Sequence, residues 1–311
     1  MNKMAISTLL GCCGAALFVT AAPVQAQFRI EPVRDNLYML AGEGGNVAVL
    51  VTADGVVLVD NMFHRSYEGI RAAVAELSDG PIALVLNTHQ HDDHAGGNAR
   101  FIGMADIVAH DNVRINLSDI RQPYYEDTPG TPIGLPTITF SDHIALFVGG
   151  QEIRAGHFGR GHTNGDAVVF FPELKTIHTG DLFLGRRGPP AGDRPPGVNI
   201  YVDYAQGGSF LDWTATLDAI LVLDFDTIIP GHGPVSTRED LVRFRADLAA
   251  MRDRISALIA AGANKAQVLA VFESDYGWRS TGCPPTPPTP GCLQFQQMDA
   301  LIEELSEDLA R

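Results

Sequence analysis

The segment from Ile82 to His94 constrains the fold more than any other. Ile82–Leu86 (IALVL) reads as a short buried strand, and two residues later the chain enters His89-Gln90-His91-Asp92-Asp93-His94. Imidazoles and carboxylates at that density are costly to bury without partners. The cluster must therefore stand where a strand leaves the core. Three later segments repeat the arrangement. His162 lies in Gly161-His162-Thr163-Asn164-Gly165-Asp166, Asp181 in His178-Thr179-Gly180-Asp181, and His232 in Pro230-Gly231-His232-Gly233. Each follows a β-branched or apolar run, so one sheet edge can gather all of them. The neighbouring glycines permit close backbone approach. Imidazole and carboxylate together suit Zn(II), with bonds of about 2.0–2.2 Å. A solvated polar loop would explain the first cluster but not the three that follow.

The rest of the chain alternates strands and helices. Phe28 to Asp60 reads as strands, with Val47–Val51 and Val56–Asp60 joined by the hairpin signal Ala53-Asp54-Gly55. Tyr67–Leu77 is helical, with Ile70, Val74 and Leu77 on one face. Ile107–His110 is a strand followed by a weak helix. Five more strands lie between Thr137 and Thr179: TITF, IALFV, EIRAGHF, AVVFF and KTIHT. Leu211–Leu223 is helical, and Thr227–Ile229 is a strand. A helix with capping chemistry starts at Ser236-Thr237-Arg238-Glu239 and runs to about Ala261; a last one covers Gln294–Ala310. Strands interleaved with helices indicate an α/β fold in one catalytic domain, residues 27–311, with a C-terminal helical extension from about 262.

The first residues read as a secretory signal peptide, 1–26: Lys3 begins it, an apolar run follows from Met4 to Ala22, and Val24-Gln25-Ala26 offers a small-residue cleavage site. Cleavage would leave an exported, periplasmic or secreted protein with no stable membrane insertion. It would also take the net charge from −15 to −16 by removing one lysine. So acidic a chain repels phosphate backbones, which argues against a nucleic-acid partner and for a small-molecule substrate. Cys283 and Cys292 flank a proline-rich loop. In an oxidising compartment they are expected to pair, stabilising by roughly 2–3 kcal/mol; two free thiols are the alternative.

HxHxDH, GHT, GD and GHG, in that order over residues 35–260, resemble the metallo-β-lactamase superfamily. The resemblance implies an αββα sandwich with the metal site at one edge of the two sheets. It implies two zinc ions, iron or manganese being the alternatives: His89, His91 and His162 hold the first, Asp93, His94 and His232 the second, and Asp181 bridges them. Asp93 would also orient the nucleophile and take its proton, making it the catalytic residue. Asp60, at the end of the run VVLVD, would brace the metal loop. His64, His110, His143, His157 and His178 are not expected to be ligands. A water held between the two ions, with its pKa lowered toward about 7, would attack a carbonyl carbon.

The bond attacked is less defined. The spacing is similar to the class B1 β-lactamases, but Asp181 stands where those enzymes place a cysteine, and Leu184 where they place the lysine that grips the substrate carboxylate. β-Lactam hydrolysis would then be weak or incidental beside ester, lactone or thioester hydrolysis. The alternatives are an iron-dependent, sulfur dioxygenase-like oxidoreductase of the same fold, or an accessory hydrolase of a periplasmic sulfur-oxidation or quinoprotein pathway. Loops at Asn61–Arg65, Leu117–Ile133 and Gly185–Tyr204 would face substrate. They offer Met62, Phe63, Tyr124, Tyr125, Arg186, Asn199 and Tyr201 as contacts.

Overall fold

The structure is a computed structural model and describes residues 28–119, 134–185, 200–276 and 298–310. The signal segment 1–26, Tyr124, Tyr125, Arg186, Asn199, Cys283 and Cys292 lie outside those residues.

Seven strands form the first sheet in chain order: β1 Arg29–Arg34, β2 Leu37–Ala41, β3 Val47–Thr52, β4 Gly55–Val59, β5 Ile82–Leu86, β6 Asp106–His110 and β7 Ile138–Phe140. The first four are an antiparallel meander, and β4 to β7 run parallel. A second sheet of six has the order β13-β12-β11-β10-β9-β8. Its strands are β8 His143–Val148, β9 Gln151–Gly156, β10 Val168–Phe171, β11 Thr176–His178, β12 Thr227–Ile229 and β13 Ser236–Thr237. The predicted hairpin at Ala53-Asp54-Gly55 joins β3 to β4.

The period of two along each strand builds the layers. In β10, Val169 and Phe171 face the first sheet and join Leu37, Met39, Ala48, Leu50, Val57 and Val59 in one buried cluster. Val168 and Phe170 face the other way. There they meet α5 Phe210–Ile220, α6 Arg238–Ala260, α7 Lys265–Tyr276 and α8 Met298–Leu309, which supply Trp213, Leu217, Leu241, Leu248, Phe272, Leu301 and Leu305. The outer face of the first sheet, with Leu40, Val49 and Leu58, is covered by Tyr67, Ile70 and Val74 of α1, Tyr67–Leu77. The fold is therefore the αββα sandwich that the resemblance implied.

Three findings depart from the sequence reading. The cap of α6 is Thr237 with Asp240, not Glu239: the Thr237 hydroxyl accepts from Asp240 N, and Asp240 Oδ2 accepts from Thr237 N at 2.9 Å. Helix α7 falls in the expected C-terminal helical extension, but the sequence does not mark its bounds, because only Val268 and Phe272 of it are buried, too few to mark an apolar stripe. Met62, at a positive φ of 55°, is fully buried in the core under α1, so it does not line a substrate loop.

The direction of the strands creates the site. In the second sheet β9 and β11 are both antiparallel to β10, and β11 is parallel to β12. The C-terminal ends of β9, β11 and β12 therefore share an edge, and the parallel pair β4 and β5 likewise ends on one side.

Trp213 is fully buried and donates from Nε1 to the Leu182 carbonyl at 3.1 Å, one residue beyond Asp181. Trp213→Ala should cost about 3–5 kcal/mol in urea unfolding. A loss below about 1 kcal/mol would show that this outer layer does not carry the packing.

Candidate metal centre

His91 is the N-cap of a short helix, α2 Asp92–Ala95, the next element after β5, which carries Asp93 and His94; α3 Asn98–Phe101 and α4 Asp111–Ser118 come after it. His162 follows β9, Asp181 sits in a 3-10 turn after β11, and His232 follows β12. Among the described residues, three groups bring ligand atoms within 4.8 Å of one another: His89, His91 and His162; His89, His94 and Asp181; and Asp93, His94 and His232. All seven residues named from the sequence are brought together, and no other histidine joins these groups.

The separations suit cations. His162 Nε2 lies 3.2 Å from His89 Nε2 and 2.9 Å from His91 Nδ1. On the other side, His94 Nε2 is 3.3 Å from His232 Nε2, which is 3.1 Å from Asp93 Oδ2. Ligands around a tetrahedral ion with bonds of about 2.0–2.1 Å stand about 3.3 Å apart. Asp181 lies between the groups. Its Oδ2 is 3.7 Å from His162 Nε2, and its Oδ1 is 3.2 Å from His94 Nε2 and 3.5 Å from His232 Nε2. Oδ1 is buried and makes no hydrogen bond of acceptable geometry, an arrangement that a cation would complete. Gly231 makes this approach possible, because a Cβ there would stand 2.0 Å from Asp181 Oδ1.

Partners behind the cluster orient the rings. His94 Nδ1 donates to Asp60 Oδ2 at 2.8 Å, and Asp60 also accepts from the Thr88 amide and hydroxyl, both at 2.8 Å. His89 Nδ1 lies 3.0 Å from that hydroxyl, and His162 Nδ1 donates to the Tyr201 carbonyl at 2.6 Å. On His89 and His162 the outer hydrogen bond sets the tautomer and leaves the inner nitrogen bare, and on His94 it fixes the orientation of the ring. Asp60 thus occupies the bracing position read from the sequence, in a strained backbone with φ 65°.

One residue of this kind was missed. Asp203 Oδ2 accepts from His91 Nε2 at 2.9 Å, which leaves His91 Nδ1 facing inward. The signal was present: Ile200-Tyr201-Val202-Asp203 is an apolar run closed by an aspartate, as Val56–Asp60 is.

Without a cation the two halves differ in charge. Burial, then the neighbouring rings, hold His89 well below the usual imidazole range; burial and His91 take His162 down to about 4. In the other half burial opposes the charged forms, but paired charges win. His94 and His232 hold Asp93 down to about 2, while Asp181 and Asp93 hold His232 up to about 9 and His94 well up.

Of the candidate substrate contacts, Phe63 is half-buried, with the Arg65 guanidinium 4.0 Å over its ring. The Tyr201 ring centre is 6.0 Å from that of His91 and 5.6 Å from that of His162. Asp93 and His232 are the most exposed of the seven, at 25% and 23% of the side chain. A cavity lined by Arg29, Gly42, Gly44, Asn46 and His232 opens beside them.

Fold and cluster together define a class that matches known proteins. Residues 40–232 match the family model of the metallo-beta-lactamase superfamily, and the chain belongs to that superfamily. It is 25% identical over 188 residues to the type 2 metallo-beta-lactamase of Elizabethkingia meningoseptica, covering 56% of this chain and 69% of that one. It is also 25% identical to metallo-beta-lactamase IND-1 of Chryseobacterium indologenes, covering 66% and 82%. The 2,4-dinitroanisole O-demethylase subunit alpha of a Nocardioides strain is 25% identical as well, over 65% of this chain and 56% of that subunit. Among solved structures, the metallo-beta-lactamase from Pontibacter korlensis superposes with a TM-score of 0.58 at 18% identity, over 72% of this chain and 99% of that one.

Asp60→Ala or Asp203→Ala should weaken metal affinity about 10- to 100-fold in a chelator competition, with the fold retained by circular dichroism. Unchanged affinity would remove the bracing role. Metal must also displace the His232 proton at pH 7, because the metal-free ring titrates at about 9. Calorimetry in buffers of different ionisation heat should therefore show about one proton or more released per chain, and affinity falling as the pH drops below about 9. Zero release would contradict the charged state assigned to that half.

Proposed function

We propose that the protein is an exported dinuclear zinc hydrolase that cleaves a carbonyl-containing bond of a small molecule. The observation that carries this reading is Asp181, whose two carboxylate oxygens face different donor groups. His89, His91 and His162 would hold one zinc, Asp93, His94 and His232 the other, with Asp181 shared. A structural zinc site is normally closed by four protein ligands. Three-donor groups that open to solvent at Asp93 and His232 suit catalysis instead.

When bound, two zinc ions would supply Lewis acidity that polarises a carbonyl and acidifies water. The protein's own residues do the rest. Asp93 is ionised and is among the most exposed of the seven, so its carboxylate is the group able to orient an attacking water and accept its proton. Asp60 and Asp203 keep His94 and His91 from turning. The buried walls around His89, His94 and His162 exclude bulk water and strengthen the local field. Substrate would enter on the Asp93 and His232 side, past Phe63.

Leu184 supports a limit on substrate class. It stands where the class B1 enzymes carry their carboxylate-gripping lysine, so β-lactams should be poor substrates beside esters, lactones and thioesters. The O-demethylase among the relatives adds aryl methyl ethers to the bonds to be assayed. The acidic chain supports a small-molecule substrate over nucleic acid. No helix of the described residues is long and apolar enough to cross a membrane.

Zinc-loaded protein should hydrolyse members of a panel of lactones, thioesters, esters, an aryl methyl ether and a chromogenic cephalosporin, with activity lost in chelator and restored by zinc. Asp93→Asn should lower kcat at least about 100-fold with two metals retained. Bound iron with oxygen consumption and no hydrolysis would overturn the reading in favour of an oxidoreductase.

A further inference from the structure

We propose that Glu304, on the C-terminal helix α8, is a positioning residue for the metal centre, acting through the segment Tyr201–Ser209. The inference rests on the metal-centre reading above. Residue 304 lies beyond the region matched by the family model, 40–232, so family membership does not account for it.

One carboxylate collects three donors from this segment and the helix that follows it. Glu304 Oε2 accepts from the Tyr204 hydroxyl at 2.9 Å and from the Phe210 amide at 3.2 Å, and Oε1 accepts from the Ser209 hydroxyl at 2.6 Å. Ser209 is the N-cap of α5, and its side chain accepts from Asp212 N. The carboxylate thus also meets the positive end of that helix. Burial and the adjacent Glu304 charge push the Tyr204 phenol far above its ordinary range, so it stays a donor.

The other side of the same segment faces the ligands. Asp203 holds His91, and the Tyr201 carbonyl holds His162. The Asp203 amide donates to the His162 carbonyl at 2.8 Å, the Ser209 amide donates to the Gly161 carbonyl at 2.9 Å, and the Gln206 side chain accepts from Gln90, which lies between His89 and His91. Gly208 packs so close that a Cβ would stand 2.4 Å from the His162 carbonyl oxygen. The segment therefore touches two of the three ligands of one metal group and leaves Asp93, His94 and His232 to other supports. Leu301 and Leu305 seat α8 in the core beneath it, which fixes where the carboxylate stands. Removing that carboxylate frees Tyr204 and the α5 N-terminus, and Asp203 with them.

The test uses full-length protein loaded with Co(II). Wild type, Glu304→Ala and Glu304→Gln are compared by their Co(II) absorption bands, by the rate of Co(II) loss to excess EDTA, and by thermal melting. Glu304→Ala should shift the bands and speed release of one of the two ions at least about tenfold, while the second ion leaves at the wild-type rate. Glu304→Gln keeps an acceptor oxygen and should recover most of the difference. If Glu304→Ala does not fold, Tyr204→Phe removes one donor without removing packing and should move both readouts in the same direction. Wild-type bands and release rates in Glu304→Ala would overturn the proposal. So would a Glu304→Gln variant as impaired as the alanine. A wild-type protein that binds no Co(II) would instead overturn the metal-centre reading itself.

Discussion

The structure depends on one electrostatic constraint: five histidines and two aspartates face one another across gaps of about 3 Å at a common sheet edge, mostly out of water. Among themselves they cannot all be satisfied. The histidine group has bare nitrogens directed at each other, and the mixed group holds its protons only because two carboxylates stand beside them. Buried polar groups left in that state are expensive. Positive charge placed between them turns the same arrangement from repulsive to attractive.

The sandwich exists to hold that edge still. Strands of one sheet end in the loop that carries four of the donors, and strands of the other end in the turns that carry three. The inter-sheet core locks the two edges in register. Behind the donors stand Asp60, Thr88, Asp203 and the Tyr201 carbonyl, each fixing the far side of a ring. Two non-glycine residues beside the site hold positive φ, 65° at Asp60 and 55° at Met62. A buried hydrogen-bond network around them sustains those conformations.

Much of this was legible in the sequence, for identifiable reasons. Local, short-period signals were readable: β-branched runs for the strands, an apolar face for α1, and histidines beside glycines at strand ends. Asp60 was readable because it closes such a run. Asp203 closes a similar but shorter run, Ile200–Val202, and that mark alone does not name its partner His91, 112 residues away, which only the packed segment brings to it. Glu304 contacts residues 94 to 100 positions earlier and carries no local mark at all. Met62 reads as a loop contact from its position, but it is fully buried in the cluster under α1, a tertiary contact with no local mark. The sequence signals the ligands through their chemistry, whereas their supports are defined by tertiary packing.

The most direct measurement is anomalous diffraction at the zinc edge from crystals of the zinc-loaded protein. Two peaks about 3.5–4 Å apart, with Asp181 between them and His91 bound through Nδ1, are the expected result. A single peak, or metal bound away from Asp181, would contradict the bridged two-ion centre.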